Sequence, residues 1–188
     1  SKILIRDLIG VALYGSQQPI ADTVLPYVDV ANPGSGATIL GSHSASPAGA
    51  TLANGIFAHT ADFDDTFEAI VLHPSAPVLP AVLAAAEHVD ATGADLITGY
   101  SVGVDVSLAL GQATFPAHYD NGWHATGTIG SFGAAAGACS VLGLAPTEVR
   151  NALGIVGSCS SSLLKNAGTM TKSFHAGHAA SAGLRAAM

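Results

Sequence analysis

The stretch that most restricts the fold is IGSFGAAAGACSVLGLAP, residues 129–146, in which most side chains are small. The chain carries no Asp, Glu, Lys or Arg between Asp120 and Glu148, and His124 is its only histidine there. An uncharged segment of this length raises the question of a transmembrane helix. More than half of it is Gly, Ala or Ser, however, and such residues gain little from transfer into lipid. We therefore predict a buried central helix and no membrane span.

The remainder of the chain also has helical periodicity, without convincing strand alternation, which indicates an all-α fold with short connections. Ser46 with Pro47 is typical of a helix start, and Gly93 is predicted to end a helix. The segments predicted to be helical are 3–15, 48–61, 77–89, 96–111, the Gly/Ala run up to 143, 146–158 and the residues after 170.

Residues 16–47 contain four prolines and several Gly and Ser, so we predict a broken segment in which 37–41 is one short extended piece. The chain opens directly in an amphipathic pattern and closes in a helix without a stop signal. We therefore expect the domain to be incomplete.

Composition excludes one class of partner. The chain has thirteen acidic and six basic residues, a net charge of −7 and no run of Lys or Arg. Binding to phosphate backbones needs such a run, so we predict no nucleic-acid partner. Cys139 and Cys159 lack a CxxC spacing, which favours reduced thiols in an intracellular protein. Residues 1–15 lack the layout of a signal peptide, and we predict a cytoplasmic protein.

Four of the thirteen acids fall within seven residues of the stretch TADFDDTFEAIVLHPSAPV, at 60–78. One interpretation is a helix end that runs into a solvated loop. A second is a metal site, because DDTFE at 64–68 fits the DDxxD/E pattern with which all-α terpenoid synthases bind Mg²⁺. Few basic and few aromatic residues argue against the diphosphate substrate of those enzymes. The third interpretation makes one acid a catalytic carboxylate or the partner of a histidine.

Several of the eight histidines stand in polar patterns. His118 and His124 flank a loop that leads to Thr126 at a predicted helix N-terminus, where a carboxylate ligand would be stabilised. Lys172 and His175, with another histidine three residues on, share one helical face. The HxxH pair alone is too unspecific to predict a metal. A hydrogen-bonded structural role is the expectation for four histidines: His43, His59, His88 and His178.

Three of these stretches, in this order, resemble the MmgE/PrpD family, and the resemblance spans most of the chain. The matching segments are ANGIFAHTADFDDTF (53–67) with HPSAPVLPA (73–81), LITGYSVGVDV (96–106), HYDNGWHATGTIGSFGAAAGA (118–138) and TMTKSFHAGHAASAGLRAA (169–187). The resemblance implies a large all-α domain beside a smaller α+β domain, a homodimer, and no metal or other cofactor. Residues 1–188 are then part of the N-terminal helical domain, and the smaller domain is absent from the chain.

Carried over position by position, the family's active-site aspartate falls on Asp62 and its motif threonine on Thr66. The histidine of the HPS motif falls on His73, that of the GxH motif on His124, and the lysine of the TK motif on Lys172. The segment between Thr66 and His73 is about one residue longer than in some members of the family, which is a local departure from the family pattern.

Other residues of the same segments receive lesser roles. Thr126 and His175 are predicted to contact the substrate together with Thr66 and Lys172. The remaining acids of the cluster are predicted to be loop structure and solvation: Asp64, Asp65 and Glu68.

The resemblance implies chemistry beside the carboxylates of small di- or tricarboxylic acids. Such reactions pass through carbanion-like or enolate-like species, which need a positioned acid and base and a cation for the developing charge. We predict a lyase similar to the 2-methylcitrate dehydratase of propionate catabolism. A cis-aconitate decarboxylase and an iminodisuccinate epimerase are alternatives within the family. A non-catalytic helical scaffold and a Mg²⁺-dependent terpenoid synthase are the alternatives outside it.

Overall fold

The computed structural model describes residues 1–188, and consists of nine α-helices with one two-stranded sheet. The helices are α1 (Lys2–Gly15), α2 (Ala21–Ala31), α3 (Pro47–Ala58), α4 (Ser75–His88), α5 (Gly93–Thr114), α6 (Ala117–Asp120), α7 (Ala125–Val141), α8 (Pro146–Cys159) and α9 (Met170–Ala187). The antiparallel sheet pairs β1 (Ala37–Thr38) with β2 (Ser44–Ala45). The predicted all-α class is confirmed, and β1 lies within the predicted extended piece.

Helix α7 is the buried helix that the small residues predicted, and it packs against α4, α5, α8 and α9. Its glycines are needed for the close approach of α5. A Cβ on Gly133 would lie 2.6 Å from the carbonyl oxygen of Gly103, and one on Gly137 would lie 2.8 Å from that of Gly99. Because real Cβ atoms do not come so close, larger residues here would separate the helices. None of the nine helices combines the length and apolar character that a membrane crossing requires.

Helices α3 and α9 cross at a second close contact. A Cβ on Gly55 would lie 2.7 Å from Cα of Gly177, and one on Gly177 would lie 2.3 Å from the carbonyl oxygen of Leu52. Both helices are buried over most of their surface. This contact joins the C-terminal end of α3 to the N-terminal half of α9. The buried side chains of His59 and His175 lie in this region.

Two predicted boundaries were wrong. The broken segment 16–47 contains α2, whose Val24 and Val28 are buried against α3, and this tertiary contact outweighs the breaking effect of Pro26. Gly93 begins α5 and does not end α4, because Thr92 caps α5. The Thr92 hydroxyl accepts from the backbone N–H of Asp95, whose carboxylate accepts from the Thr92 backbone N–H. Both cysteines are unpaired, as predicted.

Candidate active site

Four elements bring polar side chains together at one end of the bundle. His59 follows the last turn of α3, and the loop 60–74 continues from it. His124 is the residue before α7, and the first two turns of α9 carry Lys172 and His175. His59 and Lys172 are more than 100 residues apart in the sequence, so the α3–α9 and α7–α9 packing creates the site.

The loop between Thr66 and His73 is compact. A single 3-10 turn at Glu68–Ile70 is followed by Val71 in the left-handed region, with φ of 51°. The backbone N–H of Phe67 then donates to the Leu72 carbonyl at 2.8 Å, which closes the loop. Thr66 Oγ1 consequently lies 3.2 Å from His73 Nδ1. The extra residue in this loop therefore leaves Thr66 and His73 in contact.

Lys172 and His73 meet at Asp62. The Lys172 ammonium donates to Asp62 Oδ1, and the same oxygen lies 3.7 Å from His73 Nε2. Burial raises the pKa of the Asp62 carboxyl. The hydrogen bond to Lys172 and the Lys172 charge lower that pKa by more, so it lies below its ordinary value. Asp62 is therefore ionised between two cationic groups. Its φ of 57° is a left-handed conformation that aspartate tolerates better than bulky residues.

Asp64 corrects the expectation of a solvated acid. Its side chain has no exposed surface, and Oδ2 lies 2.8 Å from His59 Nδ1 and 3.4 Å from His73 Nδ1. Burial raises the pKa of Asp64, yet the hydrogen bonds and charges of the two histidines hold that pKa far below its ordinary range. Asp65 is partly buried and accepts a hydrogen bond from the Ser75 N–H at 3.3 Å, whereas Glu68 is exposed as predicted.

The charge on Asp64 determines the state of His73. Burial lowers the pKa of His73, but the hydrogen bond and charge of Asp64 raise it by more, with a smaller contribution from Asp62. The Lys172 charge opposes this effect. The resulting pKa lies above the ordinary histidine value, so the ring is cationic over more of the neutral range and suited to donate a proton.

The pKa of His124 is shifted in the opposite direction to that of His73. Its backbone N–H donates to the Ser162 carbonyl at 3.1 Å, and its Nδ1 lies 3.0 Å from His175 Nδ1. Burial, with the charges of His59, His175 and Lys172, lowers the pKa of His124 to about 3. The positive end of α7, which begins at the next residue, also disfavours an imidazolium. His124 is therefore neutral near pH 7, the state of a proton acceptor or a neutral hydrogen-bond donor.

Thr126 and His175 lie behind the other groups. Thr126 has no exposed surface, and its hydroxyl accepts from the His73 backbone N–H at 3.2 Å. The hydroxyl of Thr126 is thus enclosed and holds the backbone of His73. This position argues against the predicted contact between Thr126 and the substrate. His175 is 4% exposed and contacts His124. Burial and nearby positive charge lower the pKa of His175.

His59 takes a part in this cluster that its sequence context did not predict. His59 has the predicted hydrogen bond, but its ring also lies 4.8 Å from the His73 ring and 5.7 Å from the His124 ring, between centroids. Ligand atoms of His59, Asp62, Asp64 and His73 lie within 4.8 Å of one another, a donor set that suits a transition-metal ion. Lys172 already pairs with Asp62, however. A metal ion bound by these four residues would therefore have to compete with Lys172 for the Asp62 carboxylate.

A cleft of about 490 Å³ opens beside this cluster. His59, Asp62 and Lys172 contribute to its wall, and Lys172 is its only Lys or Arg. Thr169 and Ser173 add hydroxyl groups, so the wall offers one cation and several hydrogen-bonding groups to a small anion.

Fold and site together define an all-α domain with a partly buried polar cluster of histidines, aspartates and one lysine. A sequence model described as the MmgE/PrpD N-terminal domain matches residues 1–188. The chain belongs to this family, and the resemblance drawn from its motifs is confirmed.

The chain is similar to cis-aconitate decarboxylases. It is 33% identical to the enzyme of Mus musculus over 193 residues, which cover 99% of this chain and 39% of the mouse protein. It is 32% identical to the enzyme of Homo sapiens over 194 residues, with 100% and 40% covered. It is 29% identical to the enzyme of Aspergillus terreus over 192 residues, with 98% and 39% covered. The chain thus spans about two fifths of the length of these relatives.

Proposed function

We propose that this chain contributes the acid–base centre of an enzyme that moves protons beside the carboxylate groups of a small di- or tricarboxylic acid. One observation carries the proposal. Lys172 and His73 both approach a single carboxylate oxygen of Asp62, and the neutral ring of His124 belongs to the same cluster. A cation for the substrate, a protonated imidazole and a neutral imidazole are the groups that such chemistry needs.

In this proposal Lys172 binds a substrate carboxylate in place of Asp62, whose exposed side chain is free to move aside. His73 acts as the acid, held in its cationic form by Asp64. His124 is its neutral partner, and Thr66 orients His73 through their hydrogen bond. Each well-placed acid–base group contributes roughly 10²–10⁴-fold to the rate.

Decarboxylation of a cis-aconitate-like acid is the first candidate, because the relatives named above are cis-aconitate decarboxylases. The bond from carbon to one carboxylate breaks, CO₂ leaves, and the electron pair delocalises over the adjacent double bond. His73 then donates one proton to carbon, which gives a five-carbon unsaturated dicarboxylate. Lys172 stabilises the negative charge throughout.

Dehydration of a 2-methylcitrate-like acid is the second candidate, and one observation favours it. Loss of water requires both an acid for the departing hydroxyl and a base for the proton on the neighbouring carbon. His73 has a raised pKa and His124 a lowered one, so the cluster offers a charged and a neutral imidazole together. Decarboxylation needs the acid alone.

A substrate panel on the full-length protein tests the proposal. Cis-aconitate, 2-methylcitrate, citrate and iminodisuccinate are each incubated with enzyme, and NMR follows loss of CO₂, loss of water or inversion. We expect turnover of one acid, unchanged by EDTA. Loss of activity in EDTA that Mg²⁺ restores would show that the reaction depends on a metal ion, against the proposal. Absence of turnover with every acid would favour a scaffold.

A further inference from the structure

The carboxylate of Asp64 is shared by two histidines that come from different elements. Asp64 Oδ2 lies 2.8 Å from Nδ1 of His59, at the end of α3, and 3.4 Å from Nδ1 of His73, at the end of the loop. The side chains of His59 and Asp64 are completely enclosed, and that of His73 is 12% exposed. The shorter contact is therefore made by the histidine that lies deeper.

The buried pair of His59 and Asp64 has polar atoms without hydrogen-bond partners, which is unusual for a pair with a purely structural role. His59 Nε2 and Asp64 Oδ1 are both enclosed, and neither has a hydrogen-bond partner in the chain. Most buried polar atoms in proteins do have partners, since leaving one unpaired costs about 1–3 kcal/mol. The chain retains two such atoms next to His73, where their cost is compatible with a role at the site.

We propose that Asp64 and His59 are positioning residues for His73, in which Asp64 holds the ring and favours its cationic form while His59 competes for the same carboxylate oxygen. His73 receives a weaker bond than Asp64 would otherwise give, so His59 limits how far Asp64 charges it. The inference rests on the proposed function only in giving His73 the proton-transfer role.

The charged and titratable groups that face His73 come from its own loop and from three helix ends. Asp64, Asp62 and Asp65 come from its own loop, and the two aspartates nearest to it favour the cation. Lys172 of α9 opposes the cation, and the charge of His73 in turn contributes to the lowered pKa of His124, the residue before α7. His59 at the end of α3 makes ring contact with His73 at 4.8 Å between centroids. Of these groups, His59 is the one that shares the Oδ2 atom of Asp64 with His73.

Because of this sharing, removing Asp64 and removing His59 have opposite effects on His73. Asp64→Asn removes the charge that favours the imidazolium, and the pKa of His73 falls by about 1–3 units. His59→Phe keeps a ring of similar shape but removes the competing N–H, so Asp64 binds His73 more strongly and the pKa of His73 rises. A pair that only stabilised the fold would not give shifts of opposite sign.

The experiment is an NMR titration of the full-length protein with ¹³Cε1-labelled histidine, in which His73→Gln identifies the His73 signal. Circular dichroism and thermal unfolding check each variant. If His59→Phe does not fold, His59→Gln replaces it: glutamine keeps a donor for Asp64, and a smaller upward shift is expected. Asp29→Asn is the matched control, since Asp29 forms a solvent-exposed 2.7 Å contact with His43 elsewhere.

We expect a downward shift for Asp64→Asn, an upward shift for His59→Phe and none for Asp29→Asn. Shifts in the same direction, or no shift in either variant, would overturn the inference. The pH profile of turnover separates it from the proposed function. If the alkaline limb of kcat moves with the pKa of His73, both stand. If the pKa moves and the limb does not, the inference stands and the proposed role of His73 fails.

Discussion

Lys172 is the single residue whose replacement should affect substrate binding most. Lys172 is the only Lys or Arg in the cleft wall, and its ammonium group pairs with Asp62. A hydrogen bond to a charged group contributes about 1.5–3 kcal/mol, so Lys172→Met should raise KM roughly 10- to 160-fold. Steady-state kinetics on the full-length protein measure this. Lys172→Arg keeps the charge and should recover part of the loss.

Lys165 provides the matched control for this prediction. It lies exposed in the short turn Leu164–Asn166 before α9, so Lys165→Met removes the same charge from the same part of the chain. We expect its KM to be unchanged. Equal KM values for the two methionine variants would rule out Lys172 as the group that binds the substrate carboxylate.

His124 should make stability depend on pH. Its pKa of about 3 in the folded protein lies below the ordinary value of 6.5, so the unfolded chain binds more protons between these two values. Stability due to this group is complete above pH 6.5 and falls as pH is lowered, by about 1.4 kcal/mol per pH unit. His124→Gln removes this dependence. Denaturant unfolding of the full-length protein near pH 7 and near pH 5 measures the difference.

The exposed His88, at the end of α4, is the control for that slope. His88→Gln should lose as much stability as the parent protein between the two pH values, and His124→Gln should lose less. His73 acts with the opposite sign, because its raised pKa contributes stability that is lost as pH rises through that pKa. If the parent protein, His88→Gln and His124→Gln all lost the same stability between the two pH values, His124 would not be held neutral by folding.

At the residue scale, motifs located most of the cluster but not its deepest members. Asp62, His73 and Lys172 stand in recognisable motifs, and the fold brings them together, although their roles stay predictions. Asp64 and His59 could not be identified in the same way. An aspartate within an acidic run is usually solvated, and its complete burial here depends on α3 and α9, which the local sequence does not specify.

Among the elements, the crossing of α3 and α9 should be the most sensitive to added volume. A Cβ on Gly177 would lie 2.3 Å from the Leu52 carbonyl oxygen and 2.6 Å from Ile56 Cγ1. Overpacking of this kind typically costs about 1–3 kcal/mol. Gly177→Ala should therefore lower the melting temperature, and it should also lower kcat because α3 and α9 hold His59 and Lys172.

Gly154 in α8 is the matched control, since a Cβ there meets no atom within 4 Å. Gly154→Ala should be neutral or stabilising by about 0.4–1 kcal/mol, because alanine restricts the unfolded chain and favours helix. Thermal unfolding and turnover of both variants in the full-length protein give the comparison. The prediction fails if Gly177→Ala is as stable and as active as Gly154→Ala.

Elements were predictable where one signal dominated. The small residues of α7 left burial as the only way to stabilise that helix, and the Ser46–Pro47 start of α3 is present, with the Ser46 hydroxyl accepting from the Gly49 N–H. Competing signals caused the errors. Pro26 indicated a break, but Val24 and Val28 of α2 find partners on α3 that no local pattern shows.

On the scale of the whole molecule, the cleft is short of cations for the substrates proposed. The six Lys and Arg residues of the chain place only Lys172 in its wall, whereas cis-aconitate and 2-methylcitrate each carry three carboxylates. Met170 of the wall is 58% exposed, and Phe63 beside α1 is 80% exposed. Exposed apolar groups near a polar cleft are typical of surfaces that other protein covers. This chain matches about two fifths of the length of the relatives named above.

We therefore predict that the 188 residues alone do not turn over the acid that the full-length protein uses. One ammonium group contributes too little to offset the cost of ordering a trianion, and further cationic side chains must come from outside these residues. Turnover of the isolated chain is measured beside the full-length protein, with circular dichroism to verify that it is helical. Both are also assayed for dimerisation, which tests the homodimer that the family resemblance implies. Full activity from a helical, isolated chain would mean that Lys172 and the two histidines suffice.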